Sequence, residues 1–383
     1  MTRPALQTVL NRDLEVLAGN RPRWNQPPFR RYSFQNFSQI TRYSLTFRSP
    51  TTLVLTPAEQ PGLRRVAGVQ GLLDHPFTSA LCIVRDGQIL LEHYARDFRA
   101  NQAHAMQSIT KTMVNLMIGR LVAAGLIDLS KRVKDYIPEI CSGYSEATLQ
   151  QVLNMDVQND YSEDWSDPRA TVYRFEEMCR RLPLDPKREP GLREFLQEIR
   201  ATPTMNEPRV VDYKSTNTSV LAWVIERVGG IDLRLLVAEI IDEAGLEGQF
   251  SISCDRYGIP LLSGGGTMTA RDLARYGSIF TRWGVGVGGK QLGSAEFIAA
   301  SLKGGVNWSA NDRSLRYCNQ LDTDGRVIAH GGYCGQYLIM DMVSGMVAVY
   351  FSTTDSESGQ CSDHFEAIWA ALTAASRELP DLG

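Results

Sequence analysis

The strongest constraint on how this chain can fold is the segregation of its signals: strand patterns stand at both ends and helix patterns between them. Residues 79–85 and 88–94 are apolar, β-prone runs on either side of Asp86-Gly87, a dipeptide that favours the tight turn of a two-residue hairpin. Residues 43–55 alternate and suggest one or two further strands. Beyond about residue 304, residues 315–321 and 326–329 flank a loop ending in Asp324-Gly325, and 336–343 and 346–352 flank Ser344-Gly345. Between these ends the helical period dominates, over 109–124, 147–154, 170–181, 191–201, 216–228, 233–244, 270–283 and 295–302. The only extended run expected there is 210–213. Residues 1–20 read as a short polar helix, and 20–31, with Pro22, Pro27 and Pro28, as irregular chain. A closing helix over 362–376 puts Phe365, Ile368, Trp369 and Leu372 on one face. The pattern predicts an α+β protein. Residues 1–105 and 304–383 form an antiparallel sheet domain flanked by helices, residues 106–303 a mostly helical domain, and the active site lies in the cleft between.

With 383 residues, 43% of them hydrophobic, the chain can bury a large core. Forty basic residues against 43 acidic ones leave a net charge of −3, which asks for neither nucleic acid nor an anionic membrane surface. No run reaches the ~18 apolar residues of a membrane span, and the first thirty residues lack the apolar core of a secretion signal. Seven scattered cysteines without a C-x-x-C pair fit reduced thiols, so a cytoplasmic location is expected. No H-E-x-x-H and no compact His/Cys/Asp cluster is present, so neither a metal nor another cofactor is expected. Oligomeric state is open, with a homodimer as one arrangement.

Chemistry is signalled first at Met106-Gln107-Ser108-Ile109-Thr110-Lys111, at the entrance to a helix. Ser108 and Lys111 share a helical face, so the amine can serve as base for the hydroxyl if its surroundings disfavour the ammonium. Free N–H groups at the helix start can stabilise an oxyanion. The second stretch is Val210-Val211-Asp212-Tyr213-Lys214-Ser215-Thr216-Asn217. Tyr213 and Ser215 point the same way in extended chain, and a phenol beside an ammonium can ionise below its usual range and shuttle a proton. The third is His330-Gly331-Gly332-Tyr333-Cys334-Gly335-Gln336, where glycines let a substrate lie against a strand and the N–H of Tyr333 or Cys334 could complete an oxyanion hole. Each stretch alone is equally a helix start, a half-buried tyrosine or a glycine-rich bulge.

The ordered set Ser-x-x-Lys, Tyr-x-Ser, His-x-Gly resembles the serine β-lactamase and penicillin-binding-protein superfamily, in its class C-like esterase and amidase branch. More narrowly it resembles the nylon-oligomer (6-aminohexanoate-dimer) hydrolases. Further stretches carry that likeness: Arg23-Trp24-Asn25-Gln26-Pro27-Pro28, Asp164-Trp165-Ser166-Asp167-Pro168, Gly264-Gly265-Gly266 and Gly332-Tyr333-Cys334-Gly335-Gln336-Tyr337. The resemblance implies a central antiparallel sheet with a helical domain beside it. It implies Ser108 as acylated nucleophile, Lys111 and Tyr213 as proton relay, and Ser215 or Asn217 in the polar role beside the tyrosine. His330 replaces the lysine of the usual Lys-Thr-Gly, which argues against a β-lactam carboxylate as the natural anchor. Trp165 stands where the oligoamide hydrolases carry a tyrosine that can donate to the scissile nitrogen. An indole N–H donates but gives up no proton in catalysis, so esters are expected to be cleaved better than linear amides.

The implied function is therefore a serine hydrolase of small esters or amides. Acyl transfer to an amine or alcohol through the same intermediate is the alternative, and a non-catalytic penicillin-binding-like protein a third. Gly284-Val285-Gly286-Val287-Gly288-Gly289-Lys290 imitates a nucleotide-binding loop, but it follows a helix rather than a strand and reads as a connector. The loops 154–169 and 284–292 are expected to shape the pocket.

Overall fold

The computed structural model of the protein describes residues 23–179, 190–202, 210–311 and 314–379. The helix expected over residues 1–20 lies outside these.

Among the described residues thirteen strands make two sheets. The larger has the order β2 (Thr56–Pro57), β4 (Gln88–Tyr94), β3 (Thr78–Arg85), β13 (Met346–Ser352), β12 (Gln336–Asp341), β11 (Val327–Gly332), β10 (Leu321–Thr323), β9 (Arg316–Cys318), β8 (Val306–Asn307). All pairings are antiparallel except β2 with β4. The β3–β4 hairpin turns at Asp86 (φ 50°) and Gly87 (φ 75°), the left-handed pair that Asp-Gly favours. β3 and β13 meet along their whole length, from Met346 opposite Arg85 to Ser352 opposite Thr78, and so join the two ends of the chain.

The central strands are mostly apolar and almost continuously buried because both sheet faces are covered. Leu81, Ile83, Ala348 and Tyr350 face Ile368 and Leu372 of the closing helix Ser362–Glu378. Their neighbours Cys82, Val84, Val347 and Val349 face the opposite core, where the helix Ala270–Thr281 lies on the sheet. That helix starts at Thr269, whose hydroxyl accepts from the Asp272 N–H at 3.1 Å. Gly277 lets it come close, since a methyl group there would stand 2.6 Å from a Val347 methyl.

In the smaller sheet, β1 (Ser44–Phe47), β6 (Phe250–Ser253), β7 (Gly266–Met268) and β5 (His104–Ala105), β1 falls in the run expected to be extended, whereas β6 and β7 were not expected in the helical middle. The sheet's strands are two to four residues long, too short for alternation to show. Beside it the buried helix Thr112–Ala123 packs against Ser215–Gly229 and Ala295–Lys303. Two further expectations fail locally. Residues 20–31 are not all irregular: Pro27 and Pro28 open the helix Pro27–Gln35, where a missing N–H costs nothing. Residues 315–321 are not one strand: Asn319 (φ 52°) and Gln320 (φ 66°) break them into β9 and β10. The glycine-rich connector, as expected, joins two helices, but it packs on Glu243 and does not line the cavity described below.

Candidate active site

β5 hands the chain to a short 3₁₀ helix, Gln107–Lys111. Gln107 has φ 49°, a left-handed kink that swings Ser108 out of the buried backbone so that its side chain is half exposed. The 3₁₀ geometry eclipses residues three apart, which sets Lys111 directly beneath Ser108. Lys111 is fully buried, and its Nζ lies 2.8 Å from Ser108 Oγ, 3.1 Å from Ser215 Oγ and 2.5 Å from the Ser263 carbonyl oxygen. The carbonyl must accept, which leaves the amine free to exchange protons with the two hydroxyls.

The Gly264-Gly265-Gly266 run exists for this approach. An added methyl group at Gly265 would stand 2.4 Å from Ser253 Oγ, and one at Gly266 would stand 2.9 Å from Thr110 Oγ1. β7 therefore lies directly against the Gln107–Lys111 turn, with the Met106 N–H bonded to the Gly266 carbonyl at 2.9 Å. On the other side Gly332 of β11 brings its backbone within 2.6 Å, measured to an added methyl, of the Met106 carbonyl oxygen.

Tyr213 arrives from the extended run after Val210, which bridges to Asn307. Its hydroxyl lies close enough to Ser108 for that side chain to favour its ionised form, and Lys111 Nζ sits 4.9 Å from its ring centroid. Burial, with the charge of Glu163 next, drives the phenol well above its ordinary range, although the Ser108 contact pulls the other way. This corrects the expectation of an easily ionised tyrosine. The resting residue is a neutral phenol, able to donate.

Ser215 begins its helix, and its Oγ donates to Glu163 Oε1 at 2.8 Å while its N–H donates to Oε2 at 2.6 Å. Its hydroxyl thus joins Lys111 to a carboxylate and is not simply the companion of the tyrosine. Glu163 was missed in the sequence, where it is one acid in a polar loop. Asn217 belongs elsewhere: its Oδ1 accepts from the Tyr144 hydroxyl at 2.8 Å and its Nδ2 reaches the Val152 carbonyl at 3.4 Å, inside the helical core. Two residues past Ser215 on a helix, it faces away from the site.

His330 on β11 is buried, 3.1 Å from the Tyr317 hydroxyl through Nε2 and 2.5 Å from the Gly331 carbonyl oxygen through Nδ1. Burial first, then the Lys111 cation, pushes its pKa down to about 3, so the imidazole is neutral. Beside it stands a second residue that sequence reasoning missed, Asp322 on β10. Its carboxylate accepts from the Trp308 indole N–H at 2.7 Å and the Gly331 N–H at 3.3 Å, and burial raises its pKa to about 6.

Tyr333 and Cys334 form the turn between β11 and β12, closed by the Gly335 N–H to the Gly332 carbonyl at 3.0 Å. The Gln336 side chain anchors it, donating to the Tyr333 carbonyl at 3.1 Å and the Ser352 carbonyl at 2.6 Å. Tyr333 lines the cavity, while the Cys334 side chain does not. It packs away from it with Trp24, Phe34 and Ala105, and burial pushes the thiol up to about 12. Trp165 stacks on Tyr333 at 4.8 Å, edge-on to Trp24 and Tyr173, and its indole N–H donates to no group among the described residues. Ser108, Trp165, Tyr213, Ser215, His330, Gly332 and Tyr333 thus share one cavity of about 1030 Å³, open to solvent. Among the described residues no group of three His, Cys, Asp or Glu is arranged to hold a metal ion, and no helix is long and apolar enough to cross a membrane.

A partly exposed hydroxyl over a buried amine, with a neutral phenol alongside, is an arrangement that can carry serine acyl transfer. The Beta-lactamase family profile matches residues 69–373, and the chain belongs to that family. It is 30% identical over 304 residues, 76% of this chain and 74% of the other, to the 6-aminohexanoate-dimer hydrolase of Paenarthrobacter ureafaciens. A Bacillus anthracis structure provisionally described as a 6-aminohexanoate-dimer hydrolase superposes with a TM-score of 0.81 at 24% identity, covering 94% of this chain and 97% of that one. A family VIII carboxylesterase shares the fold at a TM-score of 0.53 and 16% identity, covering 86% of this chain and 100% of its own. The protein is accordingly a serine hydrolase of the β-lactamase-like superfamily, close to the nylon-oligomer hydrolases.

Proposed function

We propose that the protein cleaves small esters, and linear amides less well, through an acyl-enzyme on Ser108. The observation that carries this reading is the contact of Lys111 Nζ with Ser108 Oγ at 2.8 Å at the floor of an open cavity. In the proposed sequence, Lys111, once it has released its own proton, takes the Ser108 proton as the oxygen adds to the substrate carbonyl. The developing oxyanion is met by the N–H groups of Ser108 and Tyr333. The proton held by Lys111 passes to the leaving group by way of the Tyr213 hydroxyl, which lies close to Ser108. Deacylation runs the same relay in reverse, with water as the attacking group.

Two features support the ester preference. Trp165 occupies the cavity wall with an N–H that cannot be surrendered, and its ring is fixed against Tyr333. Amide nitrogen is the poorer leaving group and gains more from a proton donor. Steady-state rates on p-nitrophenyl butyrate and on a linear amide of the same acyl group test this; a larger kcat/KM for the amide would refute it. A fluorophosphonate label is expected on Ser108 alone, and labelling elsewhere would remove the acyl-enzyme from the scheme.

A further inference from the structure

The stretch Arg23-Trp24-Asn25-Gln26-Pro27-Pro28 has no place in the chemistry above, yet it leads directly into a buried cation. Arg30, on the helix Pro27–Gln35, is fully buried. Its guanidinium donates only to amide-type oxygens. Nη1 reaches the Thr354 and Ser356 carbonyls at 2.8 and 2.7 Å, and Nη2 the Asn25 and Glu357 carbonyls at 2.6 and 3.1 Å. Nε reaches the Asn25 carbonyl at 2.9 Å and its side-chain oxygen at 3.0 Å. No carboxylate is among these partners, although a charge so buried ordinarily has a counter-charge.

The chain that this fork grips is the chain that seats Tyr333. The Tyr333 hydroxyl donates to the Ser358 carbonyl at 2.6 Å and accepts from Asn25 Nδ2 at 2.9 Å. Its ring lies against Gly359, where an added methyl would stand 2.4 Å from the hydroxyl oxygen. The Thr354 N–H donates to the Cys334 carbonyl at 3.3 Å. The guanidinium carbon itself is 6.0 Å from the centre of the Tyr333 ring. Burial disfavours the anions of the Tyr333 phenol and the Cys334 thiol, and the Arg30 charge opposes it at both, so its field is felt across the turn. The Tyr333 N–H, meanwhile, donates to no group among the described residues.

Resting on the hydrolase reading above, in which that N–H meets the oxyanion, we propose that Arg30 is a positioning residue for the oxyanion hole. Its fork fixes the Tyr333 turn from behind, and its charge, met only by carbonyl dipoles, adds positive potential where negative charge develops. A carboxylate partner would cancel that potential. Arg30 does not line the cavity, so its loss should reach kcat and spare KM.

Arg30→Ala is expected to lower kcat on p-nitrophenyl butyrate by about 10²-fold, with KM changed by less than about threefold. Millimolar guanidinium, filling the vacated space, is expected to restore kcat by about tenfold or more, and urea, planar and similar in shape but uncharged, by much less. Restoration by neither, or a loss carried mainly by KM, would overturn the proposal, and equal restoration by urea would overturn its electrostatic half. Should Arg30→Ala not fold, the half-buried Asn25 offers a second route. Asn25→Ala removes a donor to the Tyr333 hydroxyl and an acceptor of the guanidinium, and is expected to lower kcat by about tenfold at unchanged KM; an unchanged kcat counts against the proposal. Fluorophosphonate labelling of Ser108 in the unsubstituted protein tests the hydrolase reading separately. Absence of label there fails that reading, whereas label there with no response of kcat at position 30 fails this one.

Discussion

At the residue scale the site is a small proton inventory, and each member has a measurable signature. Ser108→Ala should abolish turnover, and Lys111→Ala should lower kcat by about 10³-fold or more, because a neutral serine hydroxyl is a weak nucleophile without its base. Tyr213→Phe should cost about 10²–10⁴-fold in kcat with KM little changed, read from steady-state kinetics, since it removes only the shuttle. Asp322 gives the pH dependence. Its carboxyl titrates near 3.8 when unfolded and at about 6 when folded, so the native state holds the extra proton in between. The stability contributed by the neutral carboxyl is complete below about pH 4 and is lost as pH rises through 6, up to about 3 kcal/mol. Urea unfolding from pH 4 to 7 should show this decline, and Asp322→Asn should flatten it. The contact of Ser108 with Lys111 was legible in the sequence because Ser-x-x-Lys is local. Glu163 and Asp322 were not, since a lone acid in a loop or at a strand end acquires meaning only from what folds onto it. Tyr213 was legible in place but not in charge state, because the desolvation that decides it is contributed by Trp308, Tyr317 and other residues far away in sequence.

At the scale of elements, the nucleophile turn is held between two strands that must come close. Gly332→Ala adds a methyl 2.6 Å from the Met106 carbonyl oxygen and must push β11 away from that turn. The expected result is a fall of about 10²-fold in kcat with the far-ultraviolet circular dichroism unchanged, because small displacements of the oxyanion donors are costly. The hairpins around Asp86-Gly87 and Ser344-Gly345 were readable, as turn chemistry lies within a few residues. The strands β6 and β7 were not. Their identity depends on pairing with β1 and β5, some 150 to 200 positions earlier in the chain.

At the scale of the molecule, one sheet is assembled from both ends of the chain and closed by the last helix. Leu372 is fully buried between that helix and the sheet, so Leu372→Ala should lower unfolding free energy by about 2–5 kcal/mol in denaturant titration. The cavity draws its walls from the middle and the C-terminal part of the chain, from Gln107 to Trp369, so global loosening should reach the chemistry early. Glu163 shows what this assembly entails. It clasps Ser215 through two bonds, while Trp165, two positions along, forms part of the substrate's wall. Selection for a new acyl or leaving group would act on that same loop, yet any insertion or shift that moved position 163 would also disturb the amine beneath the nucleophile. Descendants of this protein can therefore change diet by replacing side chains along the loop far more readily than by altering its length.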